Sequence, residues 1–149
     1  MGVMKILEHT AMTIGKPVKI VTDINSVETQ ELIDNMIITS YNAGGYGLAA
    51  PQVGIDLRIF IYRKNSNSKV YKVVINPKVL FVKGKCNSKN EGCLSVPGIL
   101  KSIKRYRKFS IICQNRYGKE IKINTDNKLV NIILQHEFDH LMGLTILNR

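Results

Sequence analysis

A chain of 149 residues, 44% of them hydrophobic, can bury its own core, and we expect one domain over residues 1–149. Its three cysteines and the lack of a secretory leader argue against a disulfide-stabilised extracellular protein, and no apolar run approaches the ~18 residues of a membrane span. The net charge of +11 has two explanations: a polyanionic neighbour such as nucleic acid or the ribosome, or a sequence in which Lys is simply frequent.

In chain order, the predicted elements begin with a helix. Asn25 and Glu28 have capping-box spacing, and apolar residues recur at helical intervals until Gly44, which predicts a helix over about residues 26–43. Runs of β-branched and aromatic residues predict five strands: Arg58–Tyr62, Val70–Ile75, Val79–Val82, Phe109–Cys113 and Glu120–Ile123. A second helix is predicted from about Asp126. The predicted fold class is α+β, with antiparallel strands packed around this central helix.

The second predicted helix carries the motif His136-Glu137-Phe138-Asp139-His140. Residues four apart lie one turn above each other, so the two histidines can bind one metal ion, with Glu137 as a general base. Two exposed histidines beside acidic residues are the simpler alternative. The preceding run Leu129–Leu134 is apolar, which predicts a buried helix, and burial of unpaired imidazoles is costly. This pattern therefore favours a metal site.

A hydrolytic metal site usually needs a third protein ligand and an open position for water. No acidic residue follows His140, and Ile146 stands where the metzincin class has its third histidine. The third ligand is therefore expected upstream, and the candidates are His9, Cys86, Cys93 and Cys113. Cys93 differs from the others in its surroundings, because it lies in the polar segment Glu91-Gly92-Cys93-Leu94-Ser95.

Small residues are crowded into a third segment, Gly44–Gln52, which reads Gly-Gly-Tyr-Gly-Leu-Ala-Ala-Pro-Gln. Such residues permit the close approach of a second backbone or of a substrate. A phosphate-binding loop is the alternative, but the segment lacks the Gly-Lys-Ser/Thr ending and the dinucleotide-binding spacing. Gln52 supplies a neutral amide that can donate to a developing oxyanion.

In this order and spacing, the three segments resemble the peptide deformylase family. The family motifs are Gly-x-Gly-Leu-Ala-Ala-x-Gln, Glu-Gly-Cys-Leu-Ser and Gln-His-Glu-x-Asp-His-Leu-x-Gly, and the chain matches them at Gly45–Gln52, Glu91–Ser95 and Gln135–Gly143. The resemblance covers roughly residues 30–145. It implies the peptide deformylase fold and a hydrolase that removes the formyl group from the first methionine of new polypeptides, releasing formate.

The resemblance also implies roles for individual residues. One divalent metal ion, Fe(II) in the cell with Zn, Ni or Co as alternatives, would be held by Cys93, His136 and His140. Glu137 would be the general base, and the oxyanion would be stabilised by Gln52 and the backbone N–H of Leu94. The peptide would lie along Gly47, and its methionine would enter a pocket lined by Tyr46, Leu129, Ile132 and Ile133. Support for the metal ligands would come from Glu91, Arg105 and Asp139.

Two departures concern substrate and partners. Leu100 stands where some bacterial members have an arginine near the substrate backbone, and the sequence ends at Arg149, without the extension that bacterial relatives use on the ribosome. The basic segment Lys101–Lys108 is a candidate substitute. We therefore expect a minimal, monomeric form that acts on formyl-Met peptides and nascent chains in the cytoplasm of a phage-infected or reduced-genome bacterial cell. The alternatives are another metal amidase or peptidase on the same scaffold, or a basic ribosome- or RNA-associated protein with a vestigial metal site.

Overall fold

The structure is a computed structural model that describes residues 2–11 and 14–149. Within these residues there are two α-helices, α1 (Val27–Asn42) and α2 (Lys128–Leu141). The strands are β1 (Gly47–Ala49), β2 (Ile59–Tyr62), β3 (Lys72–Cys93), β4 (Val96–Gln114) and β5 (Glu120–Ile123). They form one antiparallel sheet in sequence order. The predicted α+β class is confirmed.

The sheet separates two cores, because alternate residues of a strand point to opposite faces. In β2, Ile59 and Ile61 belong to the core that includes Ile33 and Met36 of α1. Phe60 belongs to the other core, which includes the α2 residues Val130, Ile133 and Leu134. Helix α2 is therefore packed against the sheet along its apolar side. Neither helix of the described chain combines the length and the apolar content needed to cross a membrane.

Both helices begin close to their predicted positions, but the predicted cap of α1 is wrong. The N-cap is Ser26, not Asn25, and its hydroxyl accepts a hydrogen bond from the Thr29 N–H at 3.1 Å. A serine one residue further on satisfies a free N–H of the first turn, so Asn25 and Glu28 do not form the box. Asn127 caps α2 in the same manner, accepting from the Val130 N–H at 3.1 Å.

The hairpin of β3 and β4 is the largest difference from the predicted elements. The predicted strands Val70–Ile75 and Val79–Val82 fall almost entirely within one strand, β3, which begins at Lys72 and continues to Cys93, while Phe109–Cys113 is only the end of β4. Apolar and polar residues do not alternate over residues 83–108, because many of these side chains are exposed and need not be apolar. The two strands pair with each other from Ile75–Gln114 to Cys93–Val96, with a few register shifts, so backbone hydrogen bonds hold the ribbon without such a pattern.

The ribbon also determines where its tip lies. Register shifts occur between Ser88 and Glu91 and between Glu91 and Cys93, and such irregularities bend a strand. The tip at Leu94–Ser95 reaches the 3-10 turn Ala50–Val53, where Ser95 accepts a hydrogen bond from Gln52. The strands thus bring distant parts of the sequence to one end of α2.

Candidate metal centre and cavity

Helix α2 brings the two predicted histidine ligands together. The rings of His136 and His140 lie one turn apart, with their centroids separated by 5.0 Å. His140 is 1% exposed, so water cannot satisfy its ring nitrogens. The Nε2 atoms of the two rings face each other at 3.3 Å, and a cation bound by both imidazoles would satisfy them.

Two amides fix the position of α2 against β4. The Asn131 side chain accepts a hydrogen bond from the Phe109 N–H at 2.9 Å. The Gln135 side chain accepts from the Tyr106 N–H and donates to the Tyr106 carbonyl, both at 2.8 Å. Sequence reasoning did not assign these roles, although two amides four residues apart on a buried helix are a recognisable signal for backbone pairing. These hydrogen bonds fix the distance and rotation of α2 relative to β4 and thereby the positions of the two histidines.

Three candidate ligand atoms converge beside the helix. Nε2 of His140 lies 3.3 Å from Nε2 of His136 and 3.4 Å from Sγ of Cys93, and all three lie within 4.8 Å of one another. A tetrahedral site with bonds of about 2.0 Å to nitrogen and about 2.3 Å to sulfur separates its ligand atoms by about 3.3–3.6 Å. The residues therefore fit one metal ion bound by a thiolate and two imidazoles.

The other upstream candidates do not join this group in the described part of the chain. His9 lies with Nδ1 3.3 Å from the Ser95 carbonyl oxygen. Cys86 lies on the β3–β4 ribbon, and Cys113 is buried in the core that α2 shares with the sheet. Burial raises the pKa of the Cys113 thiol to about 11, which keeps it protonated. Among the four candidates, Cys93 alone lies beside both histidines.

A buried ionic network supports His136. Its Nδ1 donates to Oε1 of Glu91 at 2.7 Å, which leaves Nε2 free to face the metal position. Arg105 donates to both oxygens of Glu91 and, through Nη1, to Oδ2 of Asp139 at 2.6 Å. Arg149 donates to both Asp139 oxygens, at 2.7 and 3.1 Å. The three predicted supporting residues thus lie in one network, and Arg149 is an addition that the motifs did not reveal.

The network also sets the protonation of these groups. Burial alone would raise the pKa of Glu91, but hydrogen bonds from His136 and Arg105 outweigh it and lower the pKa to about 2. Burial would lower the pKa of His136, but its hydrogen bonds to Cys93 and Glu91 raise the pKa to about 10. The pKa of His140 lies well below its usual value, because burial and the charge of His136 oppose a second proton. A metal ion needs an unprotonated nitrogen from each imidazole, so metal binding would displace the proton that these contacts favour on His136.

Glu137 points from α2 toward the same place. It is 4% exposed, and its Oε1 is buried without a partner among the described residues. Burial raises the pKa of Glu137 to about 7, close to the working range of a general acid–base group. Gly47 of β1 lies directly against this carboxylate, since a Cβ built on Gly47 would meet Oε2 at 2.9 Å.

Gln52 lies on the other side of the Cys93 sulfur. Its Oε1 accepts from the Ala49 N–H at 2.9 Å, and its Nε2 donates to Ser95 Oγ at 3.0 Å, with Cys93 Sγ 3.8 Å away. Because a backbone N–H must face an oxygen, this contact fixes the orientation of the amide. The second N–H of Gln52 faces the Cys93 sulfur, so it points toward the position of the metal. Ser95, which is fully buried, is therefore part of the site, although the motif alone gave it no role.

These groups line a cavity of about 780 Å³. Its polar wall contains Gln52, Glu91, Cys93, His136 and Glu137. Its remaining wall includes the four residues that were predicted to form the side-chain pocket, Tyr46, Leu129, Ile132 and Ile133, as well as Gly47, Leu94 and Leu100. Tyr46 and Leu129 are 41% and 38% exposed and lie toward the mouth. The cavity can therefore hold an apolar group while a polar group faces the three ligand atoms.

Comparisons with known proteins agree with the geometry. Residues 3–149 match the family model described as polypeptide deformylase. A peptide deformylase of Thermodesulfovibrio yellowstonii is 38% identical over an alignment of 153 positions, which covers 100% of this chain and 90% of the relative. A peptide deformylase of Symbiobacterium thermophilum is 37% identical over 144 residues, covering 97% of this chain, which spans only 65% of that relative. The crystal structure of a peptide deformylase from Legionella pneumophila is similar with a TM-score of 0.93 and 34% identity, over 99% of this chain and 85% of that chain.

Proposed function

Since the chain belongs to the polypeptide deformylase family, whose members are metal-dependent hydrolases that remove the N-formyl group from methionine, we propose that its cavity is the catalytic site for this reaction. Cys93, His136 and His140 hold the divalent cation, and Glu137 is the general base. The convergence of one sulfur and two ring nitrogens beside a buried carboxylate is the observation that carries this assignment.

The proposed chemistry needs a strong nucleophile, because a formamide is a poor electrophile. When bound, the divalent cation supplies a Lewis acid and makes water nucleophilic at neutral pH. Glu137 accepts a proton from the attacking water and passes it to the amine nitrogen as the C–N bond breaks. Formate and the free amino terminus are the products. Burial raises the pKa of Glu137 to about 7, so its carboxyl group can both take up and release this proton near neutral pH.

Gln52 and the backbone N–H of Leu94 stabilise the negative charge that develops on the formyl oxygen. The Gln52 amide is held at both ends by Ala49 and Ser95, so no reorganisation is needed when that charge forms. One such donor is typically worth about 3 kcal/mol in the transition state. Gln52 therefore contributes to the rate without binding the metal.

The cavity also supports the substrate assignment. The methionine side chain enters between Tyr46, Leu129, Ile132 and Ile133, and the peptide backbone passes along Gly47. An acetyl group would need room for a methyl group beside Gly47, where the Glu137 carboxylate already lies in contact. Hydrolysis is therefore expected for formylated peptides and not for acetylated ones.

The proposal extends to the metal and the partners. A thiolate with two imidazoles is a ligand set that Fe(II), Zn, Ni and Co all accept, and we assign Fe(II) in the cell. The substrates are the formyl-Met ends of nascent chains, and Glu91, Arg105 and Asp139 hold the ligands in place. Exposed basic residues of the segment Lys101–Lys108, such as Lys104 and Arg107, are the candidate contact with the ribosome, and the protein acts as a monomer.

Two substitutions test the proposed roles. Glu137→Gln is expected to lower kcat for formate release from formyl-Met peptides by about 10²–10⁴-fold while the metal content stays unchanged. Cys93→Ala is expected to lose the metal. The matched control is Glu120→Gln, an exposed glutamate at the start of β5. Turnover like that of the wild type in Glu137→Gln or Cys93→Ala would contradict the assignment.

A second comparison separates the alternatives. Formylated, acetylated and unmodified peptides of the same sequence are offered to the wild-type protein. Formate release alone supports the deformylase, whereas cleavage of acetylated or unmodified peptides supports another amidase or peptidase. A protein that binds RNA tightly, contains no metal and releases no formate would be the basic RNA-associated protein instead.

A further inference from the structure

We propose that Gly47 is a positioning residue for Glu137. The bare Cα of Gly47 forms the wall against which the Glu137 carboxylate packs, and this contact, rather than a hydrogen bond from another protein group, holds the general base in place. The inference rests on the proposed function only for the effect on catalysis. The position of the carboxylate can be tested separately.

The first observation is that Glu137 has no polar anchor. Over residues 2–11 and 14–149, its carboxylate makes no hydrogen bond and no ion pair with the protein, although the side chain is 4% exposed. The neighbouring acids differ in this respect, since Glu91 and Asp139 each bind Arg105. Without a hydrogen bond from another protein group, the position of the carboxylate depends on packing against its walls.

The second observation is the closeness of one wall. A Cβ built on Gly47 would lie 2.9 Å from Oε2 and 3.1 Å from Cδ of Glu137, and 2.8 Å from the carbonyl oxygen of Ile61. Ordinary contacts between carbon atoms are about 3.5–4.0 Å. No side chain fits between Gly47 and the general base, so the carboxylate must move if one is added.

The added methyl group would also press on the backbone of β2, since its shortest contact is the Ile61 carbonyl oxygen at 2.8 Å. The Ile61 carbonyl belongs to β2, which is paired with β1 at Gly47–Tyr62, Leu48–Ile61 and Ala49–Phe60. Strand β1 is fully buried, and its Ala49 N–H also holds the Gln52 side chain. Of these two contacts, only Glu137 is a side chain that can turn away, so we expect its carboxylate to move together with a small shift of β1. The same strand thus fixes the oxyanion donor through a hydrogen bond and the base through contact.

Other glycines of the cavity have different neighbours, which provides a matched control. A Cβ on Gly92 would meet Cδ2 of Leu100 at 3.1 Å, the far end of an exposed side chain that can turn away. Gly92→Ala therefore crowds the cavity wall without touching Glu137. We expect its effect to fall on KM alone, whereas Gly47→Ala, which also lies on the proposed path of the peptide, should lower kcat as well.

The kinetic experiment uses the metal-loaded protein with a formyl-Met peptide. Displacement of a catalytic group by about 1 Å can lower the rate about 100-fold, and this is the expected loss of kcat in Gly47→Ala. Metal affinity, measured by chelator competition, should stay within about threefold of the wild type, since the atoms nearest the added Cβ belong to Ile61 and Glu137 and not to a metal ligand. Glu137→Asp should lower kcat less in the Gly47→Ala background than in the wild type, because the shorter acid leaves room for the methyl group. Additive losses of kcat would overturn the inference.

Crystal structures give a readout that does not depend on activity. The side chain introduced by Glu137→Gln has nearly the same shape as the glutamate, and its amide should remain in contact with Gly47. In Gly47→Ala the carboxylate should move away from β1. An amide that turns away from Gly47 in Glu137→Gln, or a Glu137 that stays in place while β1 shifts in Gly47→Ala, would overturn the inference even if the protein is an active deformylase. If Glu137 is displaced in Gly47→Ala but the wild-type protein releases no formate, the inference about position stands and only the proposed function is contradicted.

Discussion

Replacing Arg105 by methionine is expected to destabilise the protein more than the replacement of an exposed charged residue would. Arg105 is 4% exposed and donates three hydrogen bonds to Glu91 and Asp139, which are 9% and 5% exposed. Removing one partner of a buried ion pair typically costs about 3–5 kcal/mol, because a charge is left buried without compensation. Asp139 keeps Arg149, so we expect the lower end, about 3 kcal/mol. For a domain of this size that corresponds to a fall in Tm of about 6–12 °C.

Urea denaturation of the metal-free protein is the appropriate assay, because it separates the ion pairs from metal binding. The control is Arg116→Met, since Arg116 lies nearer the surface, where it pairs with Asp34 at 2.8 Å with side chains 27% and 59% exposed and also donates to Gln30. Such a pair is worth about 1 kcal/mol or less. If Arg105→Met lowers the free energy of unfolding no more than Arg116→Met, the buried network does not stabilise the fold and the reasoning is wrong.

Three further predictions concern other parts of the molecule. The pKa of Glu91 lies at about 2, below its usual 4.5, so the stability that it contributes is complete above about pH 4.5 and is lost as the pH falls toward 2; Glu91→Gln should flatten this acid limb in denaturation curves of the metal-free protein. The Cys113 thiol, 3% exposed and with its pKa raised to about 11, should react with a thiol reagent far more slowly at pH 8 than the half-buried Cys86, as mass spectrometry of labelled peptides can measure; equal rates would mean that the core is open. Asn131→Ala should lower the free energy of unfolding by about 1–3 kcal/mol, because the Phe109 N–H loses its partner, and an unchanged unfolding curve would rule out that role.

The sequence predicted the elements whose apolar pattern is regular. Both helices and the strands around Ile59–Tyr62 and Glu120–Ile123 agree with the structure to within two residues. The β3–β4 ribbon could not be predicted in the same way, because its strands pair with each other while many of their side chains face solvent. The residue types of a segment indicate whether its side chains are buried. A ribbon held by backbone hydrogen bonds does not require particular residue types, so the sequence does not indicate it.

The site was predictable to the extent that its residues lie on one helix or in one motif. The spacing of His136 and His140 gave two ligands, but spacing alone left four candidates for the third. The ribbon that carries Cys93 to the helix decides among them, and that geometry is a long-range property. The contacts of Gly47 with Glu137 and of Arg149 with Asp139 belong to the same class, because residues far apart in sequence meet only in the folded chain.

Anomalous diffraction from crystals of the metal-loaded protein tests the central assignment most directly. We predict one metal ion within about 2.0–2.4 Å of the Cys93 sulfur and of Nε2 in both His136 and His140. An ion bound elsewhere, or bound by the two imidazoles while the sulfur lies beyond bonding distance, would contradict it.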